Sequence, residues 1–191
     1  MTLRLDLLRH GETTLGGGFR GSLDDPLTDL GWQQMRDAVQ PCGPWDAVIS
    51  SPLMRCARFS EEYAAHAKLP LTLEPALQEL HFGAWEGRSA LDLMATDEAG
   101  LGQFWADPYG FTPPEGEPVE RFRERVLRAV QGLSENHQGK RILLVSHGGV
   151  MRLLLAHARG LPKEQLLSVE VGHGSVFSLV VNADGAMSEL T

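Results

Sequence analysis

Short apolar runs alternate with longer amphipathic stretches along this chain. Leu3, Leu5, Leu7 and Leu8 read as a strand entering a core. Asp25-Pro26-Leu27-Thr28 predicts a helix start with Thr28 as N-cap and Trp32, Met35 and Val39 as the buried stripe; Pro41, Gly43 and Pro44 end it. Ala47-Val48-Ile49 is a second strand, and Ser51 before Pro52 predicts a helix capped at Ser51, with Cys56, Phe59, Tyr63 and Ala67 inward. Residues 71–73 form a further strand, and from Arg88 to Gly116 the periodicity loosens around Pro108, Pro113 and Pro114. Pro118 then opens a long helix with Val119, Phe122, Val126, Val130 and Leu133 as its stripe and Arg121, Arg123, Arg125 and Arg128 on a solvated face. Ile142-Leu143-Leu144-Val145 is a continuous apolar run, as in a central strand buried on both faces, and an apolar helix starts near Val150. Leu166–Val171 and Val176–Val181 read as later strands. Strands alternating with helices predict one α/β domain over residues 1–191, a three-layer α/β/α sandwich on a mainly parallel sheet, with a cap-like insertion at about 84–116.

Composition changes this picture little. The 191 residues, 42% hydrophobic and 22% charged, are those of an ordinary globular protein. No apolar run reaches the roughly 18 residues of a membrane span, and the N-terminus has no secretory signal pattern, so a cytoplasmic protein without a membrane partner is expected. A net charge of −8 argues against nucleic acid as a partner but leaves room for a small anion held by local arginines. Cys42 and Cys56 have neither a disulfide framework nor metal-ligand spacing. The sequence does not fix the oligomeric state.

The chemistry gathers at the expected strand ends. Arg9-His10-Gly11 follows the first strand, Arg55 lies in the first turns of the helix after the second, and Ser146-His147-Gly148-Gly149 follows the central one. In open α/β sheets, ligands bind at the carboxyl ends of the strands. Two arginines and two histidines around one point would bind a phosphate through charge-assisted hydrogen bonds. Glu79 beside an anion makes sense as a proton-bearing general acid. Adjacent arginines disfavour a metal between the histidines, and neither cysteine precedes an arginine at the spacing of a cysteine phosphatase loop. No DxD start and no nucleophile elbow around Ser146 is present, which leaves histidine as nucleophile. Arg58, four residues before Glu62, is expected in a surface ion pair. His66, His137 and His157 read as helix-surface residues, while His173 is a secondary site candidate or a turn histidine.

Five motifs in order resemble the histidine phosphatase superfamily, the phosphoglycerate-mutase-like proteins, over nearly the whole chain. They are Arg9-His10-Gly11-Glu12-Thr13, Asp25-Pro26-Leu27-Thr28 with Gly31 and Gln34, Ser50-Ser51-Pro52-Leu53-Met54-Arg55, Glu79-Leu80-His81-Phe82-Gly83, and Val145-Ser146-His147-Gly148-Gly149. The resemblance implies that His10 takes the phosphoryl group, that Arg9, Arg55, His147 and Gly148 hold it, and that Glu79 protonates the leaving oxygen. It implies no metal and no organic cofactor. The family's usual asparagine is replaced by Gly16, so Arg20, Ser22 or a backbone amide is expected to substitute.

The family's mutases carry an insertion with a basic pair, whereas Phe82–Glu115 contains only Arg88, so a phosphatase acting on a small phosphorylated metabolite is expected. Glu79–Glu86 and Pro114–Glu117 resemble the α-ribazole phosphatase group, which implies α-ribazole-5′-phosphate as substrate in cobalamin biosynthesis. The alternatives are a mutase-like enzyme, a phosphatase of another small sugar phosphate, or a non-catalytic phospho-ligand-binding domain. Trp85, Phe104, Trp105 and Tyr109 are read either as lining an aromatic pocket or as core and cap packing.

Overall fold

The first apolar run becomes β1 (Leu3–Arg9), an inner strand of a six-stranded sheet in a computed structural model that describes residues 2–190. The two end residues of the expected 1–191 unit lie outside that description. The other strands are β2 (Ala47–Ser50), β3 (Leu71–Leu73), β4 (Arg141–Ser146), β5 (Val176–Val181) and β6 (Met187–Leu190), in the order β3-β2-β4-β1-β5-β6. Strands β3, β2, β4 and β1 are parallel; β5 and β6 add an antiparallel edge.

Six α-helices connect these strands: α1 (Asp29–Val39), α2 (Met54–Ala67), α3 (Ala90–Thr96), α4 (Glu98–Ala106), α5 (Val119–Asn136) and α6 (Gly148–Ala158). Successive strand residues face opposite sides, so Leu7 and Leu8 enter different cores. Leu3, Leu5, Leu7, Ile142 and Leu144 pack with α5 and α6, whereas Leu8, Val48, Leu143 and Val145 pack with α1 and α2. This is the expected three-layer α/β/α sandwich. Among the described residues, no helix is long and apolar enough to cross a membrane.

Thr28 caps α1 as its sequence predicts, with Oγ1 accepting from the Gly31 amide at 3.0 Å. The α1 start is also welded to the loop after β1. A β-carbon on Gly11 would overlap the Gly31 carbonyl, and one on Gly31 would overlap the carbonyl of Glu12. The Gln34 side chain accepts from the Glu12 amide at 2.8 Å.

Several expectations need correction. Helix α2 begins at Met54, not at Pro52, and Ser51 does not cap it. Ser51 still belongs to the strand end, its amide bonded to the Val145 carbonyl at 3.0 Å, and Asp24 accepts from the Met54 amide instead at 2.6 Å. Ala67 at the end of α2 is exposed. Leu166–Val171 is not a strand: Lys163–Ser168 forms a 3₁₀ helix, whose spacing turns Leu166 and Val169 inward together. Arg58 pairs with Glu61 at 3.1 Å, because Glu62 is taken by Arg36 at 2.9 Å.

Asp6 lies buried on β1, where a strand pattern would place an apolar residue. Its carboxylate accepts from Trp45 Nε1 at 2.8 Å and Arg141 Nε at 2.7 Å, and from the Ser178 hydroxyl at 2.5 Å. Burial pushes its pKa up, but those donors outweigh burial and hold it below 3.8. Asp6→Ala leaves Arg141 and Trp45 without their acceptor, and urea denaturation should show about 3–5 kcal/mol lost. A change under ~1 kcal/mol would mean that the network is not stabilising. Because the folded pKa is depressed, this stability is present above the unfolded value near 3.8 and is lost as pH falls through the folded one.

Candidate active site

Sheet order assembles the site. β1 and β4 are parallel neighbours with Arg9 opposite Ser146, so both strands stop at one level and release His10 and His147 side by side. The His10 amide donates to the Ser146 carbonyl at 3.0 Å, and the two rings stand edge to face with centroids 5.3 Å apart. β2 ends beside them, with Ser50 opposite Val145.

His10 is buried, and its Nδ1 lies 2.8 Å from the Gly11 carbonyl oxygen. A carbonyl only accepts, so Nδ1 carries the proton and Nε2 keeps its lone pair. Burial holds the His10 pKa well below 6.5, and repulsion from Arg55, Arg9 and His173 adds to this against the Gly11 hydrogen bond. His147 is fully buried. Its Nδ1 accepts from Arg55 Nε at 3.3 Å, and its Nε2 donates to the Ser51 hydroxyl at 2.7 Å. Burial, then Arg55 and His10, depress its pKa as well.

The arginines are held by backbone carbonyls, and Arg20 and Arg55 also by the Asp25 carboxylate. Arg55 donates to the Leu23 and Gly21 carbonyls at 2.6 and 2.9 Å and lies 3.6 Å from Asp25. Arg9 donates to the Val171 carbonyl at 2.6 Å, while its buried Nε has no protein acceptor. Burial lowers the Arg9 pKa to about 10, with Glu79 opposing the repulsion of Arg152, Arg20 and Arg55. Arg20 donates to Thr13 Oγ1, the Gly16 carbonyl and, at 2.8 Å, Asp25.

Glu79 occupies the opposite wall. Its carboxylate accepts from the Leu80 amide at 2.9 Å and from the Gly149 amide, in the first turn of α6, at 2.8 Å. A β-carbon on Gly149 would overlap that carboxylate, so a side chain there would displace it from this position. A β-carbon on Gly148 would stand 3.2 Å from the Arg9 guanidinium. Arg9, His10, Gly18, Phe19, Arg20, Glu79 and Phe82 enclose a polar recess of about 100 Å³. That is roughly three water volumes, the scale of one phosphoryl group. Phe19 and Phe82 also wall a second cavity of about 350 Å³, lined by Leu80, Phe104, Trp105, Leu167 and Arg152 among others.

A sequence model of the histidine phosphatase superfamily (branch 1) matches residues 5–190. The chain belongs to that family. It is similar to the adenosylcobalamin/α-ribazole phosphatase of Escherichia coli (strain K12), at 33% identity over 184 residues, which cover 94% of this chain and 91% of that protein. Among solved structures, the α-ribazole phosphatase from Shigella flexneri matches with a TM-score of 0.85 at 32% identity, covering 98% of this chain and 95% of that one. YhfR of Bacillus stearothermophilus matches with a TM-score of 0.91 at 28% identity, covering 99% and 96%.

Of the residues expected at this histidine phosphatase site, Arg9, His10, Arg20, Arg55, Glu79, His147 and Gly148 come together. Ser22 does not: its hydroxyl and amide are bound by Glu86 at 2.8–3.0 Å, which ties the loop after Arg20 to residues 82–86. His173 is exposed, with its ring centroid 5.7 Å from that of His10. The expected aromatic set divides. Trp85 is fully buried against Phe19, Phe104 and Phe111, Tyr109 lies instead under Lys163, and only Phe104 and Trp105 reach the cavity.

Sequence reasoning missed Ser51, Asp25 and Gly149 as parts of this arrangement. Asp25 joins two of the arginines; against the upward push of burial, the Thr13 hydroxyl and Arg20 keep its pKa low. Its signals were its place just ahead of the α1 cap and at the head of the second family-like motif. On α5, Arg121 and Arg128 are exposed as expected, whereas Arg123 and Arg125 are half-buried.

Proposed function

We propose that this histidine phosphatase is a cytoplasmic phosphomonoesterase for α-ribazole-5′-phosphate, working through a phosphohistidine. The observation that carries the chemistry is the Nδ1 proton of His10 pinned to the Gly11 carbonyl, which leaves Nε2 as nucleophile beside Arg9 and Arg20 in a phosphate-sized recess. Nε2 attacks phosphorus in line; the ester P–O bond breaks as the N–P bond forms. Glu79 gives its proton to the departing oxygen, then takes one from the water that cleaves the N–P bond, releasing inorganic phosphate. Arg9, Arg55 and His147 stabilise the charge on the three phosphoryl oxygens. To do so, His147 exchanges part of its Ser51 and Arg55 bonding for a phosphoryl oxygen.

The likeness to α-ribazole phosphatases supports this substrate, as does the apolar cavity that shares Phe19 and Phe82 with the recess. The benzimidazole base of α-ribazole suits such a cavity, whereas phosphoglycerate has only charged and hydroxyl groups to place there. Phe104 and Trp105, from the 84–116 segment proposed as a cap, supply part of its wall. Free Cys42 and Cys56 fit a reducing compartment.

Burying about 100 Å² of the base in this cavity corresponds to ~2.5 kcal/mol, or about 70-fold in kcat/KM. The test is kcat/KM for α-ribazole-5′-phosphate against 3-phosphoglycerate, with release of free phosphate measured. Equal values, or a preference for 3-phosphoglycerate, would reject the substrate assignment. Binding without turnover on any monophosphate would reject catalysis.

A further inference from the structure

Arg125 on α5 is half-buried, and all five of its N–H donors are used. Nε and one NH₂ form a fork onto the two carboxylate oxygens of Glu117, at 2.7 and 2.8 Å. The other NH₂ bridges the carbonyls of Ala76 and Gln78, at 2.7 and 2.8 Å. The remaining hydrogen bond, at 3.0 Å, reaches the carbonyl of Glu79 itself. The guanidinium also lies over the Phe122 ring, 4.8 Å from its centroid.

Glu117 extends the clamp. Its amide donates to the His81 carbonyl at 2.8 Å, and the Ala84 amide donates to the Pro114 carbonyl at 2.8 Å, so residues 113–117 run alongside the segment that carries Glu79. A surface ion pair would leave several of these donors to water. Here one planar cation fixes the backbone on the N-terminal side of Glu79, while Leu80 and Gly149 fix its carboxylate. We infer that Arg125, braced by Glu117, is a positioning residue for the Glu79 proton donor. The inference rests on the general-acid reading of Glu79 proposed above.

A compact ammonium cannot reproduce a fork and three carbonyl contacts at once. In Arg125→Lys the Glu79 segment therefore loses its fixed distance to the leaving oxygen, and misplacement on the ångström scale costs up to about 10²-fold in rate. Only substrates that need protonation should feel it. We expect kcat/KM for alkyl phosphates such as α-ribazole-5′-phosphate to fall about 10-fold or more, against at most ~2-fold for p-nitrophenyl phosphate. Lost folded protein, by contrast, lowers every substrate by one factor.

Glu117→Gln keeps the loop's shape but weakens the fork; it should show the same selectivity, more weakly, and serves if Arg125→Lys fails to fold. Glu79→Gln is the reference. If Glu79→Gln is selective for poor leaving groups while the clamp variants lose equally on all substrates, the positioning role is wrong and the acid reading stands. If Glu79→Gln itself shows no selectivity, both are wrong.

Discussion

His10→Ala should lower kcat by at least about 10⁴-fold on every phosphate ester, good leaving groups included, because it removes the bond-forming atom rather than a helper. The alanine variant keeps Arg9, Arg55 and His147, so phosphate binding should weaken far less than turnover. In the wild-type protein, acid quench during turnover with labelled substrate should trap phosphate bound to protein that is labile in acid and stable in base. Residual activity within about 10-fold of wild type would remove His10 as nucleophile. The pH dependence gives a second check. Burial and the neighbouring cations hold the His10 pKa well below 6.5, so Nε2 stays unprotonated as pH falls through 6.5. The acid limb of kcat/KM assigned to His10 should therefore lie below the ordinary histidine value; an acid limb at 6.5 assigned to His10 would contradict this electrostatic account.

The sheet and the convergence of the candidate site residues were legible in the sequence for one reason: hydrophobic periodicity locates strand ends, and in an α/β sheet those ends converge. His10 and His147 were readable because each follows an apolar run, and the order β4-β1 brings them into contact. What was not legible depends on long-range hydrogen bonds. Ser51 carries a helix-cap signature, yet its hydroxyl serves His147 from the end of the neighbouring strand, 96 positions away in the chain. Arg125 sits at a surface-like position of α5, but the 3₁₀ turn Pro75–Leu77 and the 113–117 loop close over it. Ser22 looked available for phosphate, and only its bonds to Glu86 show that it is engaged. Leu166–Val171 has an apolar pattern that a 3₁₀ turn satisfies as well as a strand.

Glu79→Gln should separate substrates by their leaving groups. The amide matches the carboxyl in shape and its single oxygen can still accept from one of the Leu80 and Gly149 amides, which bond different oxygens of Glu79, but it has no acidic proton to give. Expulsion of the ribose 5′-oxygen as an alkoxide is steeply unfavourable without that proton, whereas p-nitrophenolate leaves unaided. General acid catalysis contributes about 10²–10⁴-fold, so the variant should lose that much on α-ribazole-5′-phosphate and under ~10-fold in phosphorylation by p-nitrophenyl phosphate. Because Glu79 is also proposed to activate the water that cleaves phosphohistidine, the second step becomes limiting with the activated ester. A burst of nitrophenol, stoichiometric with enzyme, should then precede a slow steady state. Proximity of an anion is itself unfavourable to a phosphate, and neutral glutamine removes it, so phosphate should bind the variant at least as tightly as wild type. Equal losses on both substrates with no burst would mean that Glu79 holds the recess open rather than moving a proton.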